Sequence, residues 1–273
     1  MNISSIYKIY FSATGTTRKV VDAIGDKLAH ILNVNTHCHD FTLPSTRLSF
    51  PDINPDSIVV FGVPTYAGRV PNVLLKYMDA IQGNGSIAVP IVTFGNRTFD
   101  NALIELRNIL EKHDFKTMAG AAFVAEHSFS TVLAAGRPDT DDIAFAEKFA
   151  DDIVDKISKT ENIGYHEPIM VDGDADAFYF QPKTDDGRPI DIRKVKPKTD
   201  GKCVKCGLCS RICPMGSISS EDFSIITGIC IKCGACIKKC PAQAKYFDDP
   251  DYLYHKKQLE ERYSRRAENK VFI

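Results

Sequence analysis

The stretch Cys203-Val-Lys-Cys-Gly-Leu-Cys-Ser-Arg-Ile-Cys-Pro214 puts four cysteines within eleven residues, and the pattern returns as Cys230-Ile-Lys-Cys-Gly-Ala-Cys-Ile-Lys-Lys-Cys-Pro241. Each cysteine recurs after the same 27 residues, which implies an internal duplication with pseudo-twofold symmetry. Eight of the nine cysteines lie in this repeat. In a secreted chain such density means disulfides, whereas a reducing compartment favours metal ligation. The ninth, Cys38, reads as a buried thiol.

Each half is C-x2-C-x2-C-x3-C-P. Zinc wants four ligands converging tetrahedrally, usually as two separated pairs, and eight cysteines leave that alternative open. Three cysteines at three-residue spacing, a fourth farther on and a following proline form the bacterial ferredoxin arrangement for 4Fe-4S clusters, in which the fourth cysteine serves the other cluster. The expected sets are Cys203, Cys206, Cys209 and Cys240 for one cluster, and Cys230, Cys233, Cys236 and Cys213 for the other. So small a unit could not fold on apolar burial alone, and the clusters would be its core.

The formal net charge of -1 is unevenly distributed. Residues 1–160 carry 15 basic against 18 acidic side chains, 161–200 carry 6 against 9, 201–247 carry 7 against 2, and 248–273 balance at 6 each. The cysteine segment is therefore the basic one, at +5. Two oxidised clusters with four thiolates each bring roughly -4, which makes charge compensation, or docking of an acidic partner, a better account than a nucleic-acid patch.

The first 160 residues alternate apolar runs with helix-period stretches. Strands are expected at Ile6 to Phe11, Val34 to Phe41, Ser57 to Val63, Ile87 to Phe94 and Thr117 to Glu126. Helices are expected near Thr16 to Leu32, Pro71 to Ile81, Asn101 to His113 and Asp141 to Ile157. Five β-α units predict an open, doubly wound parallel sheet of α/β class. Residues 161–200 read as an ordered connector, and 248–273 as an extension carrying a surface helix. Asp172-Gly-Asp-Ala-Asp176 lacks the glycine and the bidentate glutamate of a calcium loop. No leader pattern and no apolar run long enough for a bilayer are visible, so the expectation is a soluble, cytoplasmic protein without a membrane span.

Ser12-Ala-Thr-Gly-Thr-Thr17 joins the first strand to the first helix, where N–H groups can hold a phosphate. It has neither the spacing and lysine of a Walker loop nor the dinucleotide fingerprint. Pro64-Thr-Tyr-Ala-Gly-Arg-Val-Pro71 and Thr93-Phe-Gly-Asn-Arg-Thr-Phe-Asp100 follow the third and fourth strands, at the sheet edge where doubly wound folds bind ligands. His37 and His39 flank Cys38, but in a strand the two histidines share a face while the cysteine between them points away, which argues against a metal site there.

Through FSATGTTR, FGVPTYAGRVP, TFGNRTFDNAL, the connector PKTDDGRPIDIRKVKPKTDGKC and the two cysteine runs, the chain resembles the flavodoxin-ferredoxin fusion flavoproteins of anaerobic bacteria and archaea. The resemblance implies a flavodoxin-like five-stranded sheet binding FMN and a small α+β ferredoxin-like domain with two 4Fe-4S clusters. The FMN phosphate would take Ser12, Ala13, Thr14, Gly15, Thr16 and Thr17. The ring would lie between Pro64, Thr65, Tyr66, Ala67 and Gly68 on one side and Thr93, Phe94, Gly95, Asn96 and Phe99 on the other. With no tryptophan in the chain, any aromatic cover comes from Tyr66, Phe94 or Phe99. Arg69 and Arg97 are either cations near the ring or partners in salt bridges.

Two functions follow. One is electron transfer between the cluster pair and FMN, with a redox partner protein (a ferredoxin, flavoprotein or reductase) docking on the ferredoxin domain. The other is an FMN-dependent reductase of a small organic acceptor, with Tyr66, Arg97 and His127 as candidate acceptor-binding or proton-delivering residues.

Overall fold

A computed structural model describes residues 3–160 and 167–273. The start of the expected connector, 161–166, lies outside the described residues.

Five parallel strands form the central sheet: β1 (Ser5–Tyr10), β2 (Asn35–Asp40), β3 (Ser57–Pro64), β4 (Ile87–Phe94) and a fifth in two pieces, β5 (Lys116–Thr117) and β6 (Gly120–Val124). Their order is β2-β1-β3-β4-β6, the flavodoxin-like doubly wound order with its switch point beside β1. Helices α1 (Thr16–Leu32) and α4 (Thr140–Lys159) cover one face, with α2 (Asn72–Met78) and α3 (Ala102–Lys112) on the other. Strands β1, β3 and β4 are buried along their length, as sheets covered on both faces require.

The fifth strand is split for a reason visible in β4. Ala88 pairs with Thr117 and Ile91 with Ala121, so one extra residue is accommodated opposite Val89 and Pro90. Proline has no N–H for the ladder, and a bulge on the neighbouring strand absorbs the mismatch.

Beyond the connector, β7 (Lys198–Thr199) pairs with β8 (Lys245–Tyr246) and brackets the cysteine repeat. Between them lie two single-turn helices, α5 (Leu208–Arg211) and α6 (Ala235–Lys238), which occupy equivalent places in the two halves. Helix α7 (Pro250–Arg262) starts from Asp249, whose carboxylate accepts the Tyr252 N–H.

The tail then departs from the expectation of a surface helix alone. Lys270–Phe272 returns as β9, antiparallel to β6, and adds a sixth position to the sheet. The cysteine-rich unit is thus held at both ends. It also shares a core with the sheet: Cys233 and Ala235 are buried in the same apolar cluster as Phe11, Val63 and Phe94. Among the described residues no helix is long and apolar enough to cross a membrane.

Candidate functional site

The repeat folds as its offset implies. Lys205 and Lys232 have φ 54° and 53°, Gly207 and Gly234 have 72° and 75°, and Gly216 and Gln243 have 59° and 50°. Backbone N–H groups four residues on donate to the fourth sulfur of each run, Ser217 to Cys213 Sγ at 3.4 Å and Ala244 to Cys240 Sγ at 3.3 Å. Hydrogen bonds of this kind favour a charged thiolate.

Two cavities open between the runs. One, of about 340 Å³ with its open mouth included, is bordered by Cys203, Cys206, Cys209 and Cys240. The other, of about 410 Å³ on the same measure, is bordered by Cys213, Cys230, Cys233 and Cys236. These are the two crossed sets expected from spacing. Each cavity is otherwise lined mainly by apolar groups, among them Phe223 in the first and Ile218 and Phe247 in the second. Among the described residues no three Cys, His, Asp or Glu side chains are placed to hold a single metal ion. The thiols instead surround a volume, which fits a cluster.

The two sets differ in exposure. Cys206 is exposed and the neighbouring Val204 is 68% accessible, whereas Cys233 is buried. Burial pushes the Cys233 thiol up to about 12 and raises Cys230 and Cys236 as well. Loading this set with iron must therefore displace protons.

Of the seven basic side chains, Lys232, Lys238 and Lys245 are turned inward and the other four are exposed. Lys238 Nζ pairs with Glu126 and donates to Ser130 O at 2.7 Å, and Lys232 Nζ donates to Cys230 O at 2.7 Å. Lys245, 4% exposed, reaches Phe223 O, and Arg211 Nη1 donates to Cys206 O at 3.1 Å. Three of the seven cations, Lys232, Lys245 and Arg211, thus bond carbonyls near the thiols, which fits charge compensation.

A third opening, of about 450 Å³ including open solvent, lies at the carboxyl edge of the sheet. Ala13, Thr14, Thr16, Thr17, Pro64, Thr65, Tyr66, Thr93, Phe94 and Gly95 line it, ten of the sixteen positions expected to bind cofactor. Gly15 stands at the start of α1 in the left-handed conformation. Ser12 Oγ accepts the Arg18 N–H at 3.0 Å, while the Thr16 and Thr17 N–H groups have no acceptor among the described residues. Free N–H groups at a helix start, beside the Thr14 and Thr16 hydroxyls, fit a phosphate. Thr65 Oγ1 is buried without a hydrogen-bond partner, which fits a polar ring atom.

Several expected residues are elsewhere. Ala67 and Gly68 are the two central residues of a tight turn closed by Tyr66 and Arg69, with φ 49° and 76°, and neither borders the opening. Asn96 sends its side chain to the tail, bonding Tyr263 O and Arg265 O at 2.6 Å each. Phe99 packs between Phe94 and Phe272. Arg69 is no ring cation: it pairs with Glu105 at 2.9 Å and bonds the connector at Ala175 and Ala177. Arg97 pairs with Asp100 and stacks on Phe180 at 4.1 Å, and it does not line the opening. Both arginines are absorbed by a connector that crosses the loops.

Tyr66 and His127 do line the opening. His127 Nδ1 accepts the Phe129 N–H at 3.1 Å, which leaves the ring proton on Nε2. Burial, with His255, Lys238 and Arg97 nearby, brings its pKa down to about 3, so it is neutral near pH 7. Gly95 permits this packing, since a Cβ there would sit 2.3 Å from His127 Cδ2. The lining residues missed from sequence are Ala125, Glu126 and Ser128, and Cys233, expected only as a cluster ligand, also borders the opening. Cys233 borders both this opening and the inner thiol cavity.

No curated protein matches the chain. Among solved structures it is similar to a flavodoxin from the domain Archaea (17% identity, 57% of this chain and 99% of that one, TM-score 0.41). It is also similar to the flavodoxin of Streptococcus pneumoniae TIGR4 (18%, 56% and 99%, 0.38) and to a Fusobacterium nucleatum flavodoxin mutant bound to flavin mononucleotide (17%, 57% and 96%, 0.37). The family model of the 4Fe-4S binding domain matches twice in succession, at residues 198–219 and 223–246, once over each half of the repeat.

Proposed function

We propose that the chain is an electron-transfer iron-sulfur flavoprotein that passes electrons between two 4Fe-4S clusters and FMN. The observation that carries this reading is Cys233, one side chain bordering both the inner thiol cavity and the cleft at the sheet edge. When bound, 4Fe-4S clusters exchange single electrons and FMN takes up to two, so two passages along the cluster pair balance one full flavin reduction.

The residues divide the work. Cys203, Cys206, Cys209 and Cys240 hold the outer cluster at the exposed end, where an external one-electron carrier meets the chain. Cys213, Cys230, Cys233 and Cys236 hold the inner one. Thr14, Thr16, Thr17 and the N–H groups of the α1 start hold the phosphate. Tyr66 and Phe94 cover the ring, Thr65 offers it a hydroxyl, and His127 presents a neutral imidazole. The half-buried Tyr66 lies close enough to Cys233 and Cys230 for their charges to raise its pKa, adding to the effect of burial. The reductase reading keeps Tyr66 and His127 but not Arg97, which its ion pair and stacking hold elsewhere.

The test is the composition of anaerobically purified protein. About eight iron, eight sulfide and one FMN per chain are expected; zinc without sulfide, or no flavin, overturns the proposal.

A further inference from the structure

The residues behind the cleft loops converge on the tail. Asn96, one residue past the cleft-lining Gly95, has φ 69° and is 2% exposed. Its Nδ2 donates to both Tyr263 O and Arg265 O, and its Oδ1 accepts the Ala267 N–H at 3.3 Å. The second loop is gripped from the same side. Val124 N–H donates to Asn269 Oδ1 at 2.9 Å just before Ala125, Glu126 and His127 enter the cleft. Asn269 Nδ2 in turn donates to Asp142, which is paired with Arg137, and Arg137 Nη1 donates to Ala267 O at 2.6 Å.

We propose that residues 263–269 are a positioning element of the cofactor cleft, holding the 94–97 and 124–128 loops in the shape that receives the ring. The inference rests on the FMN reading of the cleft. Asparagine tolerates a left-handed turn, but glycine adopts that conformation more freely. What asparagine adds is the grip on three backbone groups 167 to 171 residues away. Losing the grip lets the loop sample other shapes, and apparent affinity falls by the fraction of time the competent shape is lost. By reciprocity, a ligand that prefers the competent loop must also tighten the tail.

The test uses the full chain with clusters loaded and FMN removed and titrated back, read by quenching of flavin fluorescence. Asn96→Gly keeps the turn and deletes the grip; about tenfold weaker FMN binding is expected, with iron content unchanged. Asn269→Ala weakens binding in the same direction. In the wild type, FMN slows hydrogen exchange at residues 263–269. Unchanged affinity in Asn96→Gly, or tail exchange indifferent to FMN, overturns the inference alone; a wild-type chain that binds no FMN overturns the cofactor reading with it.

Discussion

The two halves of the cysteine repeat have the same backbone and different surroundings. Residues 205, 207 and 216 share positive φ with 232, 234 and 243, and each run gives its fourth sulfur an N–H donor four residues on. Yet the first half presents Val204 and Cys206 to solvent, while the second buries Cys233 and Ala235 in the core of the sheet. Local sequence sets the geometry of the thiols, and the flanking chain sets which group of them faces outward. A duplicated unit thereby acquires two ends.

Equivalent substitutions in the two halves should therefore have unequal effects. The largest is expected at the ligands. Cys206→Ala should lose about half the iron and keep FMN binding, whereas Cys233→Ala should lose about half the iron and weaken FMN as well, because its side chain borders the cleft. Equal flavin loss in both, measured by fluorescence titration, breaks the comparison.

Next come the glycines. A Cβ at Gly234 would meet the Ser128 carbonyl oxygen at 2.4 Å, whereas at Gly207 it would meet the movable end of Arg211 at 2.8 Å. Both substitutions carry left-handed strain of about 1 kcal/mol, and only Gly234→Ala adds overpacking of about 1–3 kcal/mol. Thermal unfolding of the two variants should separate them by several degrees.

The cations at equivalent positions follow. Lys238, 14% exposed, ties Glu126 and Ser130 to the second half, while Arg211 is exposed and bonds one carbonyl. Lys238→Ala should cost about 2 kcal/mol and Arg211→Ala less than 1, read as shifts in the urea midpoint.

One further effect is of pH. His127, beside Ser128 and Phe129, has its folded pKa near 3, below the ordinary 6.5. The unfolded chain takes up this proton first, so the stabilisation is present above about pH 6.5 and is lost as the pH falls toward 3. The slope it adds is at most about 1.4 kcal/mol per pH unit. His127→Gln should flatten the fall in stability between pH 6.5 and 5 by up to that amount.

Much of this was legible in the chain itself. Apolar runs such as SIVVFGV and IAVPIVTF needed only their flanking helical stretches to read as covered parallel strands, and the ferredoxin spacing of each run, repeated after 27 residues, gave both crossed ligand sets. What escaped depends on contacts between distant segments. Arg69 and Arg97 read as ring cations or as salt-bridge partners, and only the folded chain, with Glu105, Asp100 and the connector's Ala175, Ala177 and Phe180, decides for the second. Asn96 looks like a loop ligand until the tail returns 167 residues later. Lys270–Phe272 is a three-residue strand made by pairing with β6, and so short a run has no periodicity to read.

Electron passage from the inner cluster to the flavin within one chain can be followed by anaerobic stopped-flow mixing with dithionite, at wavelengths separating clusters from flavin. Cluster bleaching should be followed by flavin reduction at a rate independent of protein concentration. Flavin that stays oxidised beside reduced clusters, or is reduced only at a rate proportional to protein concentration, would contradict passage within one chain.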